Sequence, residues 1–370
     1  MKNNILVFAL LALHFLGFAQ SEEAEIRKTL SSYINGTSYN NLDEIDAAFY
    51  KDANLYLESK DEPVWIVPIK EYSNWFTNNN GRFNGRLGNI LSIDHFNSIA
   101  TAKVEILIPS KSIRFVDLFL LKKINGVWKI ISKSASREKS NLTGKKILFI
   151  VSNQDYYGAS SIATGNSFSE IVIAYETFLN AGYSVDFVSP NGGSIPLAYI
   201  NTADPLHRKY IYDQDLMYAL KSTKSPSEVE VKNYKAVHYI GGGSSMFGVP
   251  ENEEIQKITM EVYEQHNGVV SSVCHGTAGI VHLKTKDGQY LIKGKKVNGF
   301  PDAYENMDGE YFKQFPFQIQ KTIEARGGIF LYSPKNNPHV EVDGNLVTGQ
   351  NYYSSEAVAQ KVIAIIENSL

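Results

Sequence analysis

The 370-residue chain has little cysteine: Cys274 is the only one, so no intramolecular disulfide can form, and that thiol is either buried filler or reactive. It has no internal apolar run of the ~18–20 residues that a membrane helix needs. It has no surplus of basic charge, the formal net charge being -3, which argues against nucleic acid as a partner. Neither G-x-G-x-x-G nor the lysine-containing phosphate loop occurs, so the usual nucleotide-phosphate cradles are excluded. Internal repeats and low-complexity tracts are also missing. What is present, 43% apolar and 20% charged residues, excludes a disordered or fibrous chain. The length suits two or three domains.

Lys2 precedes an apolar stretch, Ile5 to Leu16, broken only by His14, and Gly17 and Ala19 follow at the spacing that a signal peptidase reads. Met1–Ala19 is therefore expected to be a cleaved signal peptide, with Gln20 the first mature residue and the protein exported, periplasmic or secreted. The alternative is an uncleaved anchor. No cysteine follows the run, which excludes a lipoprotein anchor. In an oxidising compartment an exposed free thiol is a liability, so Cys274 needs a reason.

Two patterns divide the mature chain. From Ser21 to Lys139, helical spacing at Ile26, Leu30, Tyr33 and Ile34, continued over Leu42–Phe49, precedes strand-like segments. These are Ala53–Leu57, Val64–Pro68, Arg86–His95, Ile99–Ile108, Arg114–Lys123 and Val127–Ser132, with Asn125-Gly126 a hairpin turn. Helices followed by strands indicate a small α+β domain. From Lys145 to Leu370, strands at Ile147–Val151, Val185–Val188, Ala236–Ile240 and Val269–Val273 alternate with helices at Ile171–Leu179, Ile255–Tyr263 and Thr277–Leu283. That alternation predicts an α/β domain, a parallel sheet covered on both faces. The polar stretch Ser136–Gly144 separates the two.

The chemistry concentrates where strand Val269–Val273 runs into Cys274-His275-Gly276-Thr277-Ala278-Gly279. Strand, nucleophile, small residues and helix are the layout of a nucleophile elbow, which exposes its side chain at the carboxyl edge of the sheet. A thiol at a helix N-terminus is expected to have a lowered pKa. A second strand ends in Gly241-Gly242-Gly243-Ser244-Ser245, a loop able to aim backbone N–H groups at an oxyanion, or else a plain flexible turn. Ser167-Phe168-Ser169-Glu170 also reads as a capping box, Glu305 by itself as surface charge, His238 as a satisfied core histidine and His339 as structural.

Several stretches in order carry a resemblance. They are Thr164-Gly165 followed by Glu170, then Ala181-Gly182-Tyr183-Ser184-Val185-Asp186-Phe187-Val188-Ser189-Pro190-Asn191-Gly192-Gly193, and Gly241–Gly243. Val273-Cys274-His275-Gly276 comes next, then Val297-Asn298-Gly299-Phe300 with Glu305, and finally Pro338 through Asn351. On these, residues 145–370 resemble the ThiJ/PfpI superfamily, most closely the branch of glyoxalase III and the heat-shock chaperone-glyoxalases. The resemblance implies a flavodoxin-like, class I glutamine amidotransferase-like sandwich. It implies Cys274 as nucleophile, His275 as acid/base, Glu305 orienting His275, and Glu170 against the thiol. The backbone N–H groups of Gly242 or Gly243 and of His275 would form the oxyanion hole. Ser244 stands where glyoxalase members of the family usually have a histidine. Phe115 through Lys133 makes residues 21–139 similar to the SnoaL-like, lumazine-binding-like group, which implies a cone-shaped sheet with an apolar pocket. Family enzymes often place an Asp–His pair there, but Asp94 and His95 are adjacent on a strand and point to opposite faces, which favours a non-catalytic binding or dimerising module. Tyr72, Trp75 and Phe76 are candidate pocket aromatics or helical core.

A thiolate adds reversibly to an aldehyde, and a nearby base can then move a proton between adjacent carbons. The expected function is thus a glyoxalase III-type enzyme turning methylglyoxal into lactate without glutathione. The expected partner is a small carbonyl substrate. No cofactor, no metal, no nucleic acid and no membrane span in the mature chain are expected, and a homodimer stays open. The alternatives are a redox-sensing or ligand-binding protein, or an amidase or peptidase on the same fold.

Overall fold

The computed structural model describes residues 21–59 and 63–368; the expected signal peptide, Met1–Ala19, and Gln20 lie outside the described residues. Two compact units part between Asn141 and Leu142.

The first unit begins with α1 (Ser21–Tyr39), whose Ile26, Leu30 and Tyr33 are fully buried. Asn41 caps α2 (Leu42–Ala48), its side-chain oxygen accepting the N–H groups of Asp43 and Glu44. Then come β1 (Phe49–Leu57), β2 (Trp65–Pro68), α3 (Ile69–Asn74), β3 (Leu87–Phe96), β4 (Ile99–Ile108), β5 (Ile113–Ile124) and β6 (Val127–Lys139). They form one sheet in the order β2-β1-β6-β5-β4-β3, antiparallel except where β1 meets β6. Asn125 and Gly126, both at positive φ, make the tight turn between β5 and β6. Strand β6 runs further than its apolar pattern predicts: the polar residues Ser136–Lys139 stay in the ladder because β5 pairs with them. Asp94 and His95 are both exposed and make no pair. Tyr72 and Phe76 are core, whereas Trp75 is turned outward at the end of α3, against Trp65.

Inside this unit lies a polar cluster. Lys133 and Asp117, almost fully buried, are paired at 3.1 Å. The Tyr33 hydroxyl donates to Asp117 Oδ2 at 2.5 Å and accepts from Lys133 Nζ at 3.1 Å.

The second unit contains β7 (Lys146–Ile150), α4 (Phe168–Asn180), β8 (Ser184–Val188), β9 (Tyr234–Tyr239), α5 (Glu253–Glu264), β10 (Val269–Val273), β11 (Val340–Asp343), β12 (Leu346–Gly349) and α6 (Ser355–Asn368). The sheet order is β11-β12-β10-β9-β7-β8. All neighbours are parallel except the edge pair β11–β12. One core cluster includes Ile255 and Val262 of α5; another takes Phe168 and Phe178 of α4 and Val362 of α6. Coverage on both faces is why β7 reads as an almost unbroken apolar run after Lys146 and why β10 is buried along its whole length, Ser271 and Ser272 included. His238 on β9 is fully buried beside Phe149 and Phe178, and its Nδ1 meets Ser271 Oγ at 2.9 Å. Its Nε2 has no partner, so this core histidine is only half satisfied, and burial pushes its pKa down to about 3. His339 is a structural link, held by Ser333 on one ring nitrogen and Glu341 on the other. In place of the α-helix expected over Thr277–Leu283, a 3₁₀ segment, Cys274–Ile280, starts at the cysteine itself.

Candidate active site

The site sits beyond the carboxyl ends of the central strands, the edge where open parallel sheets bind ligands. Strand β7 leads to α4 and Glu170, β9 leads to the glycine loop, and β10 leads to Cys274.

Cys274 holds a left-handed backbone, φ +57°, unusual for a residue with a side chain and the mark of a strained elbow. The neighbouring glycines make room for it. A Cβ at Gly276 would lie 2.4 Å from the Tyr239 carbonyl oxygen, and one at Gly241 would lie 2.6 Å from Glu170 Oε2 and 3.0 Å from Cys274 Cβ. The cysteine is 9% exposed and lines the cavity.

His275 Nδ1 is 3.5 Å from Cys274 Sγ, and His275 Nε2 is 2.7 Å from Glu305 Oε1. The Tyr311 hydroxyl donates to the other Glu305 oxygen at 3.0 Å while accepting the Asn306 N–H. Phe300 stacks on the imidazole at 4.6 Å. With Glu305 accepting from Nε2–H, Nδ1 is left to face the sulfur. Glu305 is therefore no loose surface charge: it is 5% exposed by side chain and locked on both oxygens.

Glu170 is buried on α4, and its carboxylate accepts the Gly241 N–H at 2.8 Å. It caps no helix end, since Ser167 makes no side-chain cap bond and the carboxyl turns to the glycine loop instead. Burial pushes its pKa up to about 8, against the pull of the Gly241 N–H and of a hydrogen bond with Cys274. The thiol departs from its expected lowered pKa. Burial pushes it up, the charge of an ionised Glu170 adds to that, and the His275 backbone N–H at the sulfur opposes both. A short buried 3₁₀ segment supplies too little positive potential to outweigh desolvation. Below about pH 8, however, Glu170 is neutral and offers the sulfur a proton donor instead of a charge.

Of the two loop glycines, Gly242, at φ +102°, lines the cavity. Gly243 does not; it packs under Tyr157, whose hydroxyl would be 2.2 Å from a Cβ there. Ser244 is fully buried outside the cavity lining, and its hydroxyl has no partner.

The cavity measures about 620 Å³. Its lining adds residues that sequence reasoning did not single out: Tyr157, Tyr199, His207, Tyr304, Tyr311 and the Tyr352–Tyr353 pair among them. Tyrosines this common, 22 in the chain, give no local signal of such a role. Among the described residues no group of three or more His, Cys, Asp and Glu side chains is placed to hold a metal ion, and no helix is long and apolar enough to cross a membrane.

Comparison with known proteins finds relatives for both units. Residues 21–135 match a lumazine-binding-like family model, and residues 161–365 match the DJ-1/PfpI family model. The chain is 30% identical over 243 residues to glutathione-independent glyoxalase hsp3102 of Schizosaccharomyces pombe, covering 60% of this chain and 98% of that protein. It is 30% identical over 237 residues to glyoxalase 3 of Candida albicans, with the same shares covered. The crystal structure of glyoxalase III from Candida albicans superposes with TM-score 0.55 at 26% identity, over 60% of this chain and 97% of that one. With a lumazine-binding-like domain ahead of it, the sheet that carries Cys274 makes this chain a member of the DJ-1/PfpI family.

Proposed function

We propose that the protein is a cysteine-dependent glyoxalase of the glutathione-independent type, exported through its N-terminal segment. The observation that carries this reading is the unbroken contact from Cys274 Sγ through His275 to Glu305, with Glu170 held beside the elbow by the Gly241 N–H. The similarity to proteins named glutathione-independent glyoxalases supports the choice of reaction over hydrolysis of an amide.

In this reading the Cys274 sulfur adds to the aldehyde carbon of methylglyoxal, forming a C–S bond, and the new alkoxide takes up the proton that the thiol loses. His275 removes the hydrogen from that carbon, giving an enediolate whose oxygens face the Gly242 and His275 N–H groups. Return of the proton to the adjacent carbon leaves a thioester. Water cleaves it, releasing lactate and the free thiol, so one aldehyde and one water give one hydroxy acid with no external oxidant or reductant. Glu305 fixes the imidazole, and Glu170 supplies or holds the proton beside the sulfur.

The test is incubation of the purified chain with methylglyoxal in the absence of glutathione. Lactate is expected to form, and Cys274→Ser is expected to abolish it. Turnover retained by Cys274→Ser would reject the site. Accumulation of cysteine sulfinic acid without turnover would favour a redox sensor.

A further inference from the structure

The cavity is far larger than methylglyoxal needs, falling within the ~300–1,000 Å³ of sites that enclose whole drug-sized ligands. Its walls are rich in rings. Phe300 and Phe315 lie beside His275, and Tyr352 and Tyr353, with centroids 3.9 Å apart, are both exposed. Tyr199 is held in a manner that none of these shares.

Tyr199 has φ +57°, a backbone conformation that a bulky aromatic residue adopts only when its surroundings impose it. Those surroundings are identifiable. On one side Leu197–Ala198 pairs with Asn166–Ser167, packed so closely that a Cβ at Gly165 would lie 2.8 Å from the Leu197 carbonyl carbon. On the other side the Asn201 N–H donates to His207 Nδ1 at 2.9 Å. Between them the Ser169 hydroxyl, one residue before Glu170, donates to the Tyr199 carbonyl at 3.3 Å. The side chain so aimed lines the same cavity as Cys274 while remaining 59% exposed. Burial of its hydroxyl raises the hydroxyl's pKa, with the Tyr157 hydroxyl as the next neighbour and Cys274 and Glu170 beyond it. A strained, half-exposed ring in the wall of the cavity that holds Cys274 offers aromatic surface to the part of the substrate that does not react. Aromatic faces pair best with other rings.

Resting on the glyoxalase reading above, we propose that Tyr199 is the specificity-determining residue of this site and that its preferred substrates are 2-oxoaldehydes carrying an uncharged ring. The reaction is the same proton shift on the sulfur adduct followed by thioester hydrolysis: phenylglyoxal plus one water would give mandelate.

The experiment measures kcat/KM of the full chain for phenylglyoxal and methylglyoxal, in the wild type and in Tyr199→Gly, Tyr199→Phe and Cys274→Ser. The wild type is expected to favour phenylglyoxal by about tenfold, the scale of one good ring contact. Tyr199→Gly is expected to erase that preference, the loss falling on phenylglyoxal and chiefly in KM, whereas Tyr199→Phe keeps it. Glycine accepts φ +57° without strain, so an unlowered Tm for Tyr199→Gly excludes misfolding as the cause. An unchanged phenylglyoxal-to-methylglyoxal ratio in Tyr199→Gly, with turnover still dependent on Cys274, overturns this inference and leaves the glyoxalase reading standing. Failure of both aldehydes to turn over in a Cys274-dependent way overturns that reading and the inference with it.

Discussion

At Glu170 a single carboxyl group ties the chemistry of the site to its stability. Burial lifts its pKa from 4.5 in the unfolded chain to about 8 in the fold. Between those values the folded protein holds a proton that the unfolded chain releases. Its contribution to stability is thus fully present below about pH 4.5 and is lost as pH rises through about 8, at up to about 1.4 kcal/mol per pH unit. Glutamine mimics the protonated acid and does not titrate. Urea denaturation of wild type and Glu170→Gln at pH 5 and pH 8 should therefore show the wild type losing stability relative to the variant at the higher pH. Equal pH dependence in the two would mean that the carboxyl is ionised in the fold. Cys274 is legible because a strand, a thiol and small residues follow one another in the chain, whereas the acid/base role of His275 comes with the family resemblance. Glu170 and Glu305 were reached only through the family resemblance, since locally one looks like a helix cap and the other like surface charge. What distinguishes them is burial, and burial is conferred by Gly241, Tyr311 and the walls of the cavity, all distant in sequence.

Among the elements, the turn from β10 into the 3₁₀ segment is the most exacting. Gly276 has backbone, not a flexible side chain, at 2.4 Å from where a Cβ would sit, so the neighbour cannot yield cheaply. Gly276→Ala is expected to cost about 1–3 kcal/mol, lowering Tm by several degrees, and to displace Cys274 enough to cut turnover sharply. Thermal melting and methylglyoxal turnover check both effects, and a variant with unchanged Tm would show that the turn has slack. The expected helix after Cys274 was a matter of spacing: small and apolar residues fit either helix type, and contact with Tyr239 through Gly276 and Gly279 tightens the turn. Strand β6 shows the same limit in the other direction. Its last residues are polar on both faces and read as a linker, yet the backbone ladder with β5 holds them extended.

For the whole molecule, the two units make separate demands. The first encloses a buried ion pair, Lys133–Asp117, and the Arg86 guanidinium also faces Asp117 and Tyr33. Asp117→Leu should cost about 3–5 kcal/mol, because it leaves the Lys133 and Arg86 cations without their carboxylate, and adding Lys133→Met should restore only part of it. In calorimetry the loss is expected in one transition while the transition of the unit containing Cys274 stays in place. A shift of both would show that the units melt as one body. The plan of two domains, the class of each and the elbow that presents Cys274 can be read from the string of residues, because periodicity and turn chemistry act between neighbours in the chain. The antiparallel edge strand, a thiol pushed up instead of down, a carboxyl kept neutral to about pH 8 and the cavity with Tyr199 at its wall belong to the folded molecule alone. Desolvation and enclosure are summed over groups that only tertiary packing brings together.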